Sequence, residues 1–211
     1  MMARKLVAEE RSFIDQQVRD KGKFLRVALQ EDDFRAIIIC QTYVETLVQR
    51  LYQRQLHVQD IYNPTGFANH LMLAVSLGEI EDAARVPLQQ IADIRNVLAH
   101  QLGGSVKATE IKPVTKSLKK VPLMRDMYPG ALKVIQDRSM LSNITDSGKE
   151  IRALLLTAYF YCLLRYQDEQ PVHPALVPKL SGNQKTFLQD LLSFGAGAYV
   201  GAPLSPNLSD G

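Results

Sequence analysis

The chain lacks most of the features that mark a secreted, membrane-spanning or metal-bound protein. It has two cysteines, Cys40 and Cys162, each set in an apolar run. Two are too few for a disulfide framework and do not have zinc-site spacing, so buried reduced thiols are the expectation. Long hydrophobic runs are missing too. The longest, Ala153 to Leu164, is 12 residues and is interrupted by Thr157, whereas a membrane span needs about 20. The first ten residues hold no long apolar core ahead of their acids, so no signal peptide is expected. Charge of one sign is scarce. Lys plus Arg is 25 and Asp plus Glu is 22, a net of +3, which does not by itself imply a nucleic-acid partner. No Asn-Gly or Asp-Gly turn separates alternating runs, so strand signals are weak. Ser139, Ser142 and Ser147 have no nucleophile-elbow glycines beside them, and no glycine-rich phosphate loop occurs. These absences predict a cytoplasmic soluble protein with neither metal nor cofactor.

Helical periodicity fills the space left. From Asp33 to Gln55 the residues Phe34, Ile37, Val44, Val48, Leu51 and Tyr52 recur at three- and four-residue steps, with Asp32 and Asp33 as cap and first-turn charge. A second helix is expected over Pro64–Leu77, facing inward with Phe67, Leu71, Ala74 and Val75 and stopped by Gly78. A third is expected over Pro87–Gln101, with Leu88, Ile91, Ile94 and Leu98 on its face. The strongest, Lys149–Gln167, is apolar almost all round and belongs at the centre of a bundle. Val106 to Val121, punctuated by Lys and Pro, reads as a loop with room for one short helix. Asn183 to Phe194 allows a last helix. The fold class is an all-α helical bundle: one domain over residues 1–194, then a flexible C-terminal tail over 195–211.

Two charges stand on greasy stripes. Arg95 falls within the arc of Leu88, Ile91, Ile94 and Leu98, and Glu45 falls between Ile38, Val48 and Tyr52. An isolated charge on a packing face seeks a partner, so a Glu45–Arg95 ion pair across two helices is expected. The competing expectation is that Arg95 snorkels to solvent along its alkyl stem.

The segment Ile94-Arg95-Asn96-Val97-Leu98-Ala99-His100 carries the chain's concentrated chemistry. Asn96 and His100 are four apart and share a helix face; Arg95 lies about a quarter turn away. An imidazole that titrates near neutrality beside a guanidinium makes a workable phosphate site. The plainer alternative is a helix C-terminus favoured by a nearby cation. Here the chain resembles a family. "IADIRNVLAHQL" is similar to the Arg–x4–His motif of HEPN domains, and "RAIIICQTYVETLVQRLY" followed by "NPTGFANHLMLAVSLGEI" resembles their mannitol operon repressor branch. The likeness covers about Asp32 to Leu102.

The resemblance implies two readings. In one, two copies form a homodimer that brings two motifs over an RNA backbone and cleaves it without metal. His100 then handles the proton of the attacking 2′-hydroxyl or of the leaving oxygen, Arg95 stabilises the transition state, and Asn96 orients the phosphate. Glu45 would aim the arginine or, by locking it, count against catalysis. Such an enzyme would be a toxin or defence effector with a cognate antitoxin. In the other, the chain is a non-catalytic transcriptional regulator or interaction module with a regulatory protein partner.

Lys107, Lys112, Lys116, Lys119, Lys120 and Arg125 follow the motif and could hold RNA phosphates, although a solvated lysine loop explains them as well. His57, His70 and His173 lack a Cys, His or carboxylate at ligand spacing. Tyr159, Tyr161 and Tyr166 read as core or interface residues.

Overall fold

The computed structural model describes residues 16, 20–56, 66–101, 105–138 and 144–167, all within one unit of the chain spanning residues 1–177. These residues are helical and irregular only, with no strand among them. The all-α expectation holds. The helices are α1 (20–30), α2 (Asp33–Leu56), α3 (Phe67–Ser76), α4 (Asp82–His100), α5 (Ala108–Leu118), α6 (Pro122–Arg138) and α7 (Asp146–Gln167). The expected helix at Asn183 to Phe194, the domain end at residue 194 and the tail over 195–211 lie outside the described residues.

Local chemistry sets the helix ends. Asp32 Oδ1 accepts the Arg35 N–H at 2.9 Å, the N-cap of α2 that its sequence promised. Thr145 Oγ1 does the same for α7, accepting Gly148 N–H at 3.0 Å. Gly78 adopts φ +75 and donates to Val75 O at 2.9 Å, which closes α3 in the left-handed manner that glycine permits.

Three expectations need correction, and proline is involved each time. α3 starts at Phe67 rather than Pro64, because Gly66 at φ +86 cannot be helical. α4 starts at Asp82, five residues before Pro87. Pro87 is thus a sixth-position residue lodged in the buried face beside Ala84, Leu88 and Ile91. A proline there forfeits one backbone hydrogen bond, a cost of about 3 kcal/mol in an isolated helix that packing here offsets. Residues 106–121 are not mainly a loop: the short helix they left room for, α5, occupies most of them, with Pro113 inside, and α6 follows unexpectedly with Pro122 at its first position and Pro129 within. Reading Lys and Pro as punctuation missed the buried stripe Ile111, Val114 and Leu118.

α7 is the centre. Every residue from Ile151 to Tyr166 is buried, and the helix packs against α2, α4, α5 and α6. The Phe24 ring of α1 stacks on Tyr159, centroids 4.0 Å apart. Tyr159, Tyr161 and Tyr166 are core residues, as expected. Cys40 and Cys162 are buried and unbridged.

Each end of this apolar helix carries one buried arginine. Arg152 donates to Ala28 O (2.6 Å), Glu31 O (2.7 Å) and Asp33 Oδ1 (2.8 Å). At the other end Arg165 Nε donates to Glu79 O at 3.1 Å, while Arg54 pairs with the fully buried Glu79 carboxylate and donates to Tyr166 O at 2.8 Å. Asp33 meeting Arg152 and Arg54 meeting Tyr166 make α2 and α7 parallel. Glu45 meeting Arg95, with Arg54 beside Glu79, makes α2 and α4 antiparallel.

Candidate functional site

The site is built on the last two turns of α4 and the α2 face behind them. Arg95 Nη2 lies 3.3 Å from Glu45 Oε2, so the cross-helix contact expected from two misplaced charges is present. It is not sealed: the Arg95 and Glu45 side chains are 28% and 24% exposed. The guanidinium therefore neither snorkels free nor disappears into the core. Its Nη1 donates to Asn96 Oδ1 at 3.0 Å, and its Nε–H is buried without an acceptor among the described residues. Glu45 and Asn96 between them fix the guanidinium plane.

A third group is present that the sequence did not disclose. His70, buried on α3, places Nδ1 3.8 Å from Glu45 Oε1, and its ring lies 5.8 Å from that of Tyr52. Glu45 thus stands between an arginine and a histidine from two other helices. No linear spacing links His70 to a carboxylate 25 residues earlier; the only available signal was its place on the apolar face of α3, between Phe67, Leu71 and Ala74.

His100 behaves differently. It is exposed, as is Asn96, and makes no hydrogen bond or ion pair among the described residues. The helix end beside it is closed by the backbone, with Gln101 N–H on Val97 O and Leu98 O at 3.1 Å each. Five residues on a helix turn through roughly 140° and advance about 7.5 Å. Arg95 accordingly faces α2 while His100 faces outward. One copy of the chain places the two motif residues near each other without converging them on a single point.

Lys112 and Lys116 of the basic segment lie on α5 and not in a loop; Lys107 stands just before the helix and Lys119 and Lys120 just after it. The Ser117 hydroxyl of α5 donates to Gln90 Oε1 of α4 at 2.6 Å, and only a short connection joins the C-terminus of α4 to the N-terminus of α5. The two helices are therefore antiparallel. Lys107 sits at the motif end, and Lys119 and Lys120 at the far end. Lys112, Lys116, Lys119 and Lys120 are all exposed. Arg125 is held by Asp126 at 2.9 Å and so leaves the group. Glu110, the one acid in the segment, accepts the Lys107 backbone N–H at 2.8 Å, which caps α5.

No group of three or more His, Cys, Asp or Glu side chains among the described residues could hold a metal ion. His57 and His173 lie outside those residues. No described helix is long and apolar enough to cross a membrane. Comparison of the chain with protein-family models, curated proteins and solved structures gave no match in any of the three.

Proposed function

We propose that the chain is a HEPN-type RNA-binding protein that cleaves RNA without a metal, at a site composed from two copies in a cytoplasmic homodimer. One observation carries this reading: Arg95 is held in place by Glu45 and Asn96 while His100, one turn on, is exposed and uncommitted. A fixed guanidinium supplies charge at a set position without reorganising during reaction, which is where electrostatic catalysis gains most. An exposed imidazole within reach of a substrate can act as general base and general acid. In this chemistry one His100 takes the proton of the 2′-hydroxyl and O2′ attacks phosphorus. The bond to the 5′-oxygen breaks, and that oxygen leaves with a proton from the second copy's His100. Arg95 stabilises charge on the non-bridging oxygens. Asn96, with its carbonyl already turned to Arg95, offers its amide N–H to the phosphate. The outward turn of His100 away from Arg95 is the reason a second copy is needed. A cognate antitoxin then fits as the restraining partner.

A second reading rests on the same guanidinium. Two of its nitrogens are engaged and its Nε–H is buried, so Arg95 also suits a purely architectural role in a non-catalytic regulator with a protein partner.

Cleavage of purified RNA in EDTA separates the two. His100→Ala should lower the rate by about 10²–10⁴-fold, the usual worth of a general acid–base group. Its stability should stay within about 0.5 kcal/mol, as for an exposed residue without contacts. A wild-type dimer that cuts no RNA, or a His100→Ala protein that cuts as well as wild type, leaves the regulator reading in place.

A further inference from the structure

We infer that the exposed face of α5 is a track for single-stranded RNA, gripping the phosphates of the strand that leads away from the motif. The inference rests on the RNA reading above and adds which surface holds the RNA and in what form.

Residues 107–120 contain five lysines and one glutamate, a local excess of four positive charges, whereas the whole chain nets only +3. The rest of the molecule is slightly acidic, so positive charge is concentrated here. Lys112 and Lys116 stand one turn apart on the solvent face of α5 and Lys119 and Lys120 follow in the turn just beyond its end, while Ile111, Val114, Ser117 and Leu118 are buried opposite. The Cβ atoms of Lys112 and Lys116 are then about 5–6 Å apart. None of the four makes an ion pair among the described residues, unlike Arg125, and Glu110 is diverted into capping the helix. An unneutralised row of ammonium groups attracts a polyanion and gains free energy from released counterions.

The row is single and short, which selects the partner. From Lys107 to Lys120 the path is about 20 Å at helical rise. Shape readers of double-stranded RNA span about 16 base pairs and touch two successive grooves, which one such row cannot do. A single strand needs only one line of positive charge along its backbone. Because α5 runs antiparallel to α4, the line starts at the motif end and leads away from it by about 15 Å, past the level of Gln90. No exposed aromatic ring accompanies the lysines among the described residues, so the track holds the backbone and does not choose bases.

The test is binding of a fluorescein-labelled, 2′-O-methyl 12-nucleotide oligouridine, which cannot be cleaved, by anisotropy from 50 to 300 mM KCl. The proteins are the wild type, the fourfold variant Lys112→Gln, Lys116→Gln, Lys119→Gln, Lys120→Gln, and Lys133→Gln, an exposed lysine of α6 outside the row. Each single-strand phosphate contact contributes about 0.7 to the slope of log K against log salt. The fourfold variant should therefore lose about 3 in slope and bind some hundredfold or more weakly at 100 mM, with an unchanged thermal transition. Lys133→Gln should keep the wild-type slope. A difference in slope below 0.5 overturns the inference, as does absence of salt-dependent binding by wild type, or tighter binding to a 12-base-pair duplex than to the strand. Parallel cleavage assays keep the two proposals apart. A fourfold variant that cleaves with unchanged KM removes the track and leaves the nuclease. A wild type that binds with the expected slope yet never cleaves removes the nuclease and leaves the track.

Discussion

Arg152 and Asp33 are joined by a 2.8 Å contact between Nη2 and Oδ1, across 119 positions of sequence. The same guanidinium takes the carbonyls of Ala28 and Glu31, so one side chain ties the α1–α2 corner to the first turns of α7. The side chain is 1% exposed. Removing one partner of a buried pair leaves the other uncompensated, at about 3–5 kcal/mol. Arg152→Ala should fall in that range by urea denaturation. Arg152→Lys should recover little, because one ammonium nitrogen cannot reach acceptors that the guanidinium meets with three separate nitrogens.

Gly148 offers a sharper probe of the same corner. A Cβ at this position would lie 2.7 and 2.9 Å from the two Asp33 carboxylate oxygens and 2.8 Å from Ile144 Cγ2. Alanine normally favours a helix by up to about 1 kcal/mol over glycine. Here Gly148→Ala should instead destabilise, by about 1–3 kcal/mol, since it pushes Asp33 off Arg152. Pairing it with Asp33→Ala in a double-mutant cycle should show strong coupling.

The Glu45–Arg95 pair calls for a smaller number. Each side chain keeps about a quarter of its surface in solvent, which places the pair between exposed bridges at about 0–1 kcal/mol and buried ones at about 3–5. Arg95→Ala should cost about 1–2 kcal/mol and, under the nuclease reading proposed above, should also abolish cleavage. Glu45→Gln should lower kcat more than it raises KM, because it loosens the guanidinium without removing it.

The visibility of these contacts in the sequence followed periodicity. Glu45 and Arg95 announced themselves because each broke a regular apolar stripe. Arg152 and Arg165 bound the apolar run Ala153 to Leu164 and are charges on a helix buried all round, so the same reasoning reaches them. Their partners were hidden: Asp33 looked like a first-turn acid, and Glu79 lies in the turn after Gly78, where no helical period points inward. α5 and α6 were obscured by Pro113, Pro122 and Pro129, which a strongly packed face tolerates. The motif residues Asn96 and His100 were legible as a shared face, but the divergence of Arg95 from His100 needed the packing against α2 to fix which way each turns.

Burial of weak acids sets an alkaline limit. Burial pushes the Cys40 thiol from its ordinary 9.0 up to about 12, and raises Cys162, Tyr159 and Tyr161 as well. These groups are neutral when protonated, so the folded chain holds protons that the unfolded chain releases above its ordinary pKa values. Stability is fully present below about pH 9 and is lost as pH rises through the folded values. At pH 10 each buried thiol should cost of the order of 1–2 kcal/mol relative to pH 8. The urea midpoint should be flat from pH 7 to 8.5 and fall steadily to pH 11. A thiol reagent at pH 8 should label neither cysteine before unfolding.

Hydrocarbon surfaces slide over one another with little penalty, and the stretch of α7 from Ala153 to Leu164 offers α2 little else. What prevents sliding is the placement of one arginine at each end, 13 residues apart: Arg152 is committed to two backbone carbonyls and the Asp33 carboxylate, and Arg165 to the Glu79 carbonyl, whose own carboxylate holds Arg54 of α2. A one-turn slip of about 5.4 Å would pull both cations away from these acceptors at once. The central helix is therefore indexed like a key with two notches. Because α2 carries Glu45 between those notches, the position of Arg95 and of the motif on α4 is set by an alignment made at the opposite ends of the bundle.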